Sequence, residues 1–136
     1  MSDFPIIVFH NPACGTSRNV VAAIRQQGHE PRVVLYLETG WTEPQLRDLL
    51  GRMGTGPRAI LREKGTPAAA LGLVDETVSD QALIAAMVKD PILVNRPIVE
   101  TPLGVVLARP SERVFEVLDT RPGSFVKEDG EVVKLS

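Results

Sequence analysis

A mixed α/β sheet with helices packed against it is the fold class that the sequence predicts, from three features of its pattern. An apolar run at 6–9, a polar loop, a helix-period segment and a second apolar stretch at 33–37 read together as a βαβ unit with parallel strands. Two strand-like runs, at 98–100 and 105–108, flank the turn sequence Thr101, Pro102, Leu103 and Gly104 and read as a hairpin. Between these parts, over about 42–90, the pattern is predominantly helical. The predicted order is therefore βα, β, a helical insertion, then ββα, in a single domain over 1–136.

Each element has a local cause. Ile6, Ile7, Val8 and Phe9 form a continuous apolar run suited to a strand buried on both faces. Thr16 or Ser17 can cap the helix that follows, Val20, Ala23 and Ile24 recur at helical spacing, and Gly28 ends it. The stretch 33–37 reads as a second buried strand. Thr42 with Gln45 resembles a capping box, ahead of Leu46, Leu49, Leu50 and Met53 on one face and Gly54 at the stop. The segment 57–65 is expected to form a short helix carrying Arg58 and Arg62. Ser79 or Asp80 caps a further helix with Leu83, Ala86 and Met87 inward and Pro91 beyond its end. Pro97 opens the hairpin, holds Asn95 and Arg96 extended and is compatible with a cis peptide bond. A last helix starts at Ser111 and buries Val114, Val117 and Leu118, and 125–135 suggests a small edge hairpin turning at Asp129 and Gly130.

Composition narrows the class. With 136 residues, 43% apolar and 24% charged, the chain can bury a sizeable core without a disulfide. The net charge of −2 is spread along the chain, which gives no footprint for nucleic-acid binding. The longest uninterrupted apolar run, 82–88, is far shorter than the roughly 20 residues of a membrane span. The start, MSDFPIIVFH, carries an acid and no basic patch, so no signal peptide is expected. One cysteine cannot form an internal disulfide, and a free reactive thiol persists best under reducing conditions, so a cytoplasmic location is expected.

That cysteine, Cys14, lies in the loop HNPACGTSRN between the first strand and the first helix. Free N–H groups and the positive dipole end there favour a negative charge, and thiols so placed titrate well below their ordinary range. Arg18 adds a fixed positive charge and His10 a titratable one, so Cys14 is expected to face solvent as a thiolate. Ser17 or Thr16 can donate a hydrogen bond to its sulfur. Arg96 and Arg109 stand beside prolines at the outer ends of the hairpin, which antiparallel pairing brings side by side, and Arg62 from the insertion is a third contributor. Arginine's planar fork binds tetrahedral oxyanions, so phosphate, sulfate or arsenate would suit the cluster. A thiolate beside such a cluster suggests phosphatase chemistry or redox chemistry at the central atom. The CxxxxxR loop of cysteine phosphatases is not present, since only three residues separate Cys14 from Arg18. With no CxxC, any reduction through Cys14 needs its second thiol from another molecule.

The segments HNPACGTSRN, ILVNRPIVETPLG and LARPSE, in their order and spacing over nearly the whole chain, resemble the glutaredoxin-coupled arsenate reductases; the similarity thins after about Thr120. The resemblance implies a thioredoxin-like fold with a helical insertion, a catalytic cysteine at Cys14 and substrate-binding arginines at Arg62, Arg96 and Arg109. It also implies a histidine of the catalytic set at His10 and a cis proline at Pro97; Thr16, Ser17 and Arg18 are the supporting residues of the reading from the residues themselves. The implied reaction reduces arsenate to arsenite through a covalent cysteine-arsenate intermediate. Glutathione is the co-substrate and glutaredoxin the protein partner, and no bound cofactor or metal is expected. One departure is that some members carry a second cysteine just before the third arginine, where this chain has Ala108. Two other readings stand beside it: a non-catalytic regulator of the same fold that binds RNA polymerase, and a thiol-dependent reductase or transferase acting on another oxyanion.

Overall fold

Val8, Val99 and Val106 stand side by side across three strands, and this buried row sets the frame of the site. In the computed structural model, which describes residues 4–135, the chain forms two units. The first comprises Met1–Leu35 with Arg96–Ser136, and the second is Tyr36–Asn95. The insertion expected over about 42–90 falls within the second.

In the first unit, β1 (Ile7–His10) pairs parallel with β2 (Arg32–Leu35) and antiparallel with β3 (Ile98–Thr101). β3 pairs antiparallel with β4 (Gly104–Leu107) around the loop Pro102 and Leu103, so the sheet order is β2-β1-β3-β4. Helix α1 (Gly15–Gln26) and a 3-10 segment, Ser111–Glu116, cover the valine row with Val20, Ile24, Val114 and Phe115. Their apolar positions follow the expected spacing, but the final helix is a 3-10 turn instead of an α-helix. The second strand also departs from expectation. It ends at Leu35, none of its residues is fully buried, and Tyr36–Thr39 turns into a short helix, α2. β2 is an edge strand with a neighbour on one side only, so its apolar residues do not require burial on both faces. The carboxyl-terminal strands β5 (Ser124–Val126) and β6 (Val132–Lys134) form their own two-stranded sheet and do not extend the main one. Gln26 ties this hairpin to α1 by accepting from the Val126 amide at 3.1 Å and donating to its carbonyl at 2.7 Å.

In the second unit, α3 (Glu43–Met53) begins with the expected capping box between Thr42 and Gln45 and ends at Gly54, whose φ of 73° suits a residue without a side chain. Leu46, Leu49 and Leu50 are buried and Met53 half-buried. Ser79 caps α4 (Asp80–Lys89), which buries Ile84 with Leu83 and Met87 and leaves Ala86 half-buried. The short helix expected over 57–65 is a 3-10 turn, Pro57–Ile60, that carries Arg58 but stops before Arg62. Arg62 instead follows an isolated bridge between Leu61 and Val94, and its amide donates to the Leu93 carbonyl at 2.7 Å. The Asn95 amide returns the pairing to the Ile60 carbonyl at 2.7 Å.

The Thr101 hydroxyl anchors the hairpin by donating to the Val117 carbonyl at 2.6 Å and accepting from the Leu103 amide at 3.0 Å. Thr101 is buried, so Thr101→Val keeps the side-chain shape and strands both backbone groups. The expected loss is about 1–3 kcal/mol of unfolding free energy. Urea denaturation measures it, and an unchanged midpoint would show that this anchor carries no stability.

Candidate active site around Cys14

The strands of the first unit deliver three chain segments to one end of the sheet. Phe9 pairs with Ile98 and Ile98 with Leu107, so the exit of β1, the entry of β3 and the exit of β4 are neighbours. Cys14 follows the first of these, Arg96 precedes the second, and Arg109 follows the third. The Ala108 amide donates to the Pro97 carbonyl at 2.9 Å, which extends the pairing to the arginines. The peptide bond before Pro97 is cis, as the sequence suggested, and so is that between Arg109 and Pro110.

The loop before Cys14 is shaped by Asn11, a residue the sequence reading passed over. Its side-chain oxygen accepts from the Ala13 amide at 2.9 Å, and its carbonyl accepts from the Cys14 amide at 3.0 Å. The signal was present in the Asn11-Pro12 pair, since asparagine before proline favours such turns. Cys14 itself occupies the N-cap of α1, in extended conformation, so the helix begins earlier than a cap at Thr16 or Ser17 would allow. Thr16 and Ser17 lie in its first turn.

Cys14 is 8% exposed, which corrects the expectation of a thiolate facing solvent. Arg109 covers it, with Nη1 donating to Sγ at 3.5 Å and to the Arg96 carbonyl at 3.0 Å. Burial pushes the thiol up, but hydrogen bonding from Arg96, from the Ser17 amide and from Arg109, with the Arg96 charge, brings it down to about 7. The opposing effects are physically distinct: burial penalises the thiolate, while donors and cations favour it.

Ser17 acts differently from the expectation that its hydroxyl bonds the sulfur. Its Oγ lies 2.6 Å from His10 Nδ1 and accepts from the Asn11 amide at 3.1 Å, so the backbone amide is the part of Ser17 that stabilises the thiolate. His10 is not the positive charge expected beside the sulfur. Burial, then the charges of Arg18 and Arg25, hold its pKa below the usual histidine value, against a smaller opposing effect of Glu128. Arg18 is likewise turned away from its expected role. Its Nε pairs with Glu128 Oε1 at 2.8 Å and its Nη1 donates to the Pro12 carbonyl at 2.8 Å, so it braces the loop and acts on His10.

The structure thus brings Cys14, His10, Ser17, Arg96 and Arg109 together within the first unit. Arg62 belongs to the second, where its Nε donates to the Lys64 carbonyl at 3.1 Å and its own carbonyl accepts from the Thr66 hydroxyl at 2.6 Å. Chemically, a sulfur that ionises near neutrality beside two fixed guanidinium groups is a nucleophile placed next to an oxyanion cradle.

Comparison with known proteins gives the family. The chain matches the ArsC family over residues 9–117. It is 52% identical over 134 residues to "Arsenate reductase ArsI1" of Synechocystis sp., covering 98% of this chain and 93% of that one. It is 51% identical over 129 residues to an arsenate reductase of Escherichia coli strain K12, covering 94% and 92% respectively. Among solved structures, an arsenate reductase from Vibrio cholerae superposes with a TM-score of 0.81 at 37% identity, covering 86% of this chain and 100% of that one. With a matching family model over most of its length and half-identical relatives throughout, the chain belongs to the ArsC family and has a thioredoxin-like fold.

Proposed function

We propose that this chain is a cytoplasmic arsenate reductase that uses glutathione and glutaredoxin as electron donors and passes through a cysteine-arsenate adduct. The observation that carries the reading is the Cys14 sulfur, titrating at about 7 with Arg109 Nη1 at 3.5 Å, in a chain half identical to proteins named arsenate reductases. About half of the thiol is then thiolate at neutral pH.

In the first step the Cys14 thiolate attacks the arsenic of arsenate held by Arg96 and Arg109. An S–As bond forms, one As–O bond breaks, and the oxygen leaves as water after taking up protons. The guanidinium groups stabilise charge on the remaining oxygens, the role of an oxyanion hole. Glutathione then attacks the adduct. Its sulfur and that of Cys14 become joined as a mixed disulfide, and the electron pair of the S–As bond stays on arsenic, which becomes As(III). Glutaredoxin resolves the mixed disulfide by thiol exchange, arsenite is released, and the Cys14 thiol is restored. One arsenate and two thiols yield one arsenite, one disulfide and one water. The family resemblance makes Arg62 a third substrate-binding arginine, and His10 and Ser17 hold the loop that presents the sulfur.

Purified protein with arsenate, glutathione, glutaredoxin and a glutathione-regenerating system is expected to oxidise NADPH in an arsenate-dependent manner, and Cys14→Ser to abolish this. If wild type is as inactive as Cys14→Ser and instead captures RNA polymerase, the regulator reading replaces this one. Arg96→Ala and Arg109→Ala are each expected to lower kcat about 10²–10³-fold, the usual cost of losing one oxyanion donor. Arg62→Ala should lower kcat/KM for arsenate, whereas an arginine with no part in the anion site would leave it unchanged.

The pH dependence has a definite sign. Only the thiolate reacts, so alkylation of Cys14 by iodoacetamide should speed up as pH rises and level off above an inflection near 7. Arg96→Ala removes both a donor and a charge and should move that inflection upward. A wild-type inflection above pH 8 would contradict the activated sulfur on which the mechanism depends.

A further inference from the structure

We propose that a groove along the exposed side of α1, closed by Glu128 of the carboxyl-terminal hairpin, is the binding site for the thiol co-substrate, a γ-glutamyl tripeptide of the glutathione class. This rests on the glutathione-dependent reading above and adds to it a place for the second thiol.

The groove encloses about 480 Å³, within the range of roughly 300–1,000 Å³ typical of small-molecule sites. It lies wholly within the first unit. Val21 and Ala22 give it an apolar floor, Arg18 and Arg25 stand on α1 two turns apart, and Glu128 stands on the other side. Its charges match the proposed occupant group for group. Glutathione carries two carboxylates, for which the groove offers two guanidinium groups, and one ammonium, for which it offers a carboxylate.

The guanidinium groups hold exchangeable partners. Arg18 pairs with Glu128, and Arg25 pairs through Nε and Nη2 with Glu30 at 3.0–3.2 Å, with all four side chains substantially exposed. Ion pairs so exposed to water contribute little, so an entering carboxylate replaces Glu30 or Glu128 at small cost.

Two of the groove's lining residues, His10 and Arg18, flank the reactive loop. Arg18 Nη2 lies 3.7 Å from where a side chain on Gly15 would begin, and Gly15 directly follows Cys14. At the same end His10 forms part of the lining and contacts Ser17, whose amide stabilises the Cys14 thiolate. A tripeptide anchored by its carboxylates on Arg18 and Arg25 is therefore held beside the loop that carries the sulfur. The single cysteine of the chain makes such a site chemically useful, because the second sulfur has to come from outside.

The test uses S-methylglutathione, which keeps the charges and cannot react. Titrated into the isotope-labelled full chain, it should shift the amide signals of Val21, Ala22, Arg25, Gln26 and Glu128. In turnover, Arg25→Glu should raise the KM for glutathione about tenfold or more, equivalent to losing one charge-assisted contact, without a matching rise in the KM for arsenate. Arg25→Lys should recover part of the loss, and Arg32→Glu, an exposed charge reversal on β2, should leave the glutathione KM unchanged. Absence of shifts, shifts confined to other surfaces, or an equal effect of Arg32→Glu would each overturn the groove assignment. Wild type without arsenate-dependent turnover would overturn the reductase reading instead, and the titration, which needs no arsenate, would still decide whether the groove takes the tripeptide.

Discussion

A sulfur withdrawn from water and yet ionised near neutrality is the constraint on which the first unit is built. Burial to 8% exposure opposes the thiolate, so the charge exists only if something closer than solvent stabilises it. The compensation comes from the Ser17 amide in the first turn of α1 and from two arginines distant in sequence. Neither arginine would reach Cys14 without the sheet. Because β1 runs antiparallel to β3, and β3 to β4, the exit of β1 meets both outer ends of the hairpin, and the in-register row of Val8, Val99 and Val106 locks that arrangement. A slip of one residue in β3 would turn its buried side chains to the opposite face. It would also carry Arg96 away from the sulfur, so core packing and site geometry are fixed by the same register.

The loop between β1 and α1 shows how few groups are needed to hold a nucleophile in place. Asn11 closes the turn with its side chain and its carbonyl, and Ser17 receives the Asn11 amide and faces His10. The hydroxyl of Ser17 is thereby occupied, and its amide is left for Cys14. His10, whose protonation is disfavoured by burial and by the charges of Arg18 and Arg25, takes part in this network through its bond to Ser17. Arg18, which looked like a partner for the sulfur, belongs to a second layer with Glu128.

Much of this could be read from the chain because its signals are local. The capping box at Thr42, the helix of Val20 and Ile24, the hairpin around Pro102 and the placement of Cys14 at a helix start each follow from residues a few positions apart. The convergence of Arg96 and Arg109 could also be inferred, since antiparallel pairing dictates it. What could not be read was set by tertiary surroundings. Val33 and its neighbours look like a buried strand, but only the sheet order reveals an edge. The degree to which Cys14 is covered depends on the conformation of Arg109, and the partners of Arg18 and Ser17 depend on Glu128 and His10, for which short-range pattern has no rule. The segment around Arg62 reads as part of a short helix, whereas its backbone is engaged by Leu93 across a bridge some thirty residues away.

Ala108 shows why a chain with one cysteine still has a coherent redox chemistry. Its position directly precedes Arg109, the residue that donates to the Cys14 sulfur. In the fold, however, Ala108 is fully buried on the same side of the sheet as Val106, among Val20, Val114 and Phe115. A side chain there points into apolar packing while the next residue turns to cover the sulfur. A thiol at that position would be kept protonated by its surroundings and would be a poor nucleophile, because burial without donors raises a thiol's pKa. A thiol at position 108 is therefore poorly placed to resolve a bond formed at Cys14. The packing around position 108 is in keeping with the proposed reaction, in which one sulfur is activated within the fold and the other comes from a separate thiol.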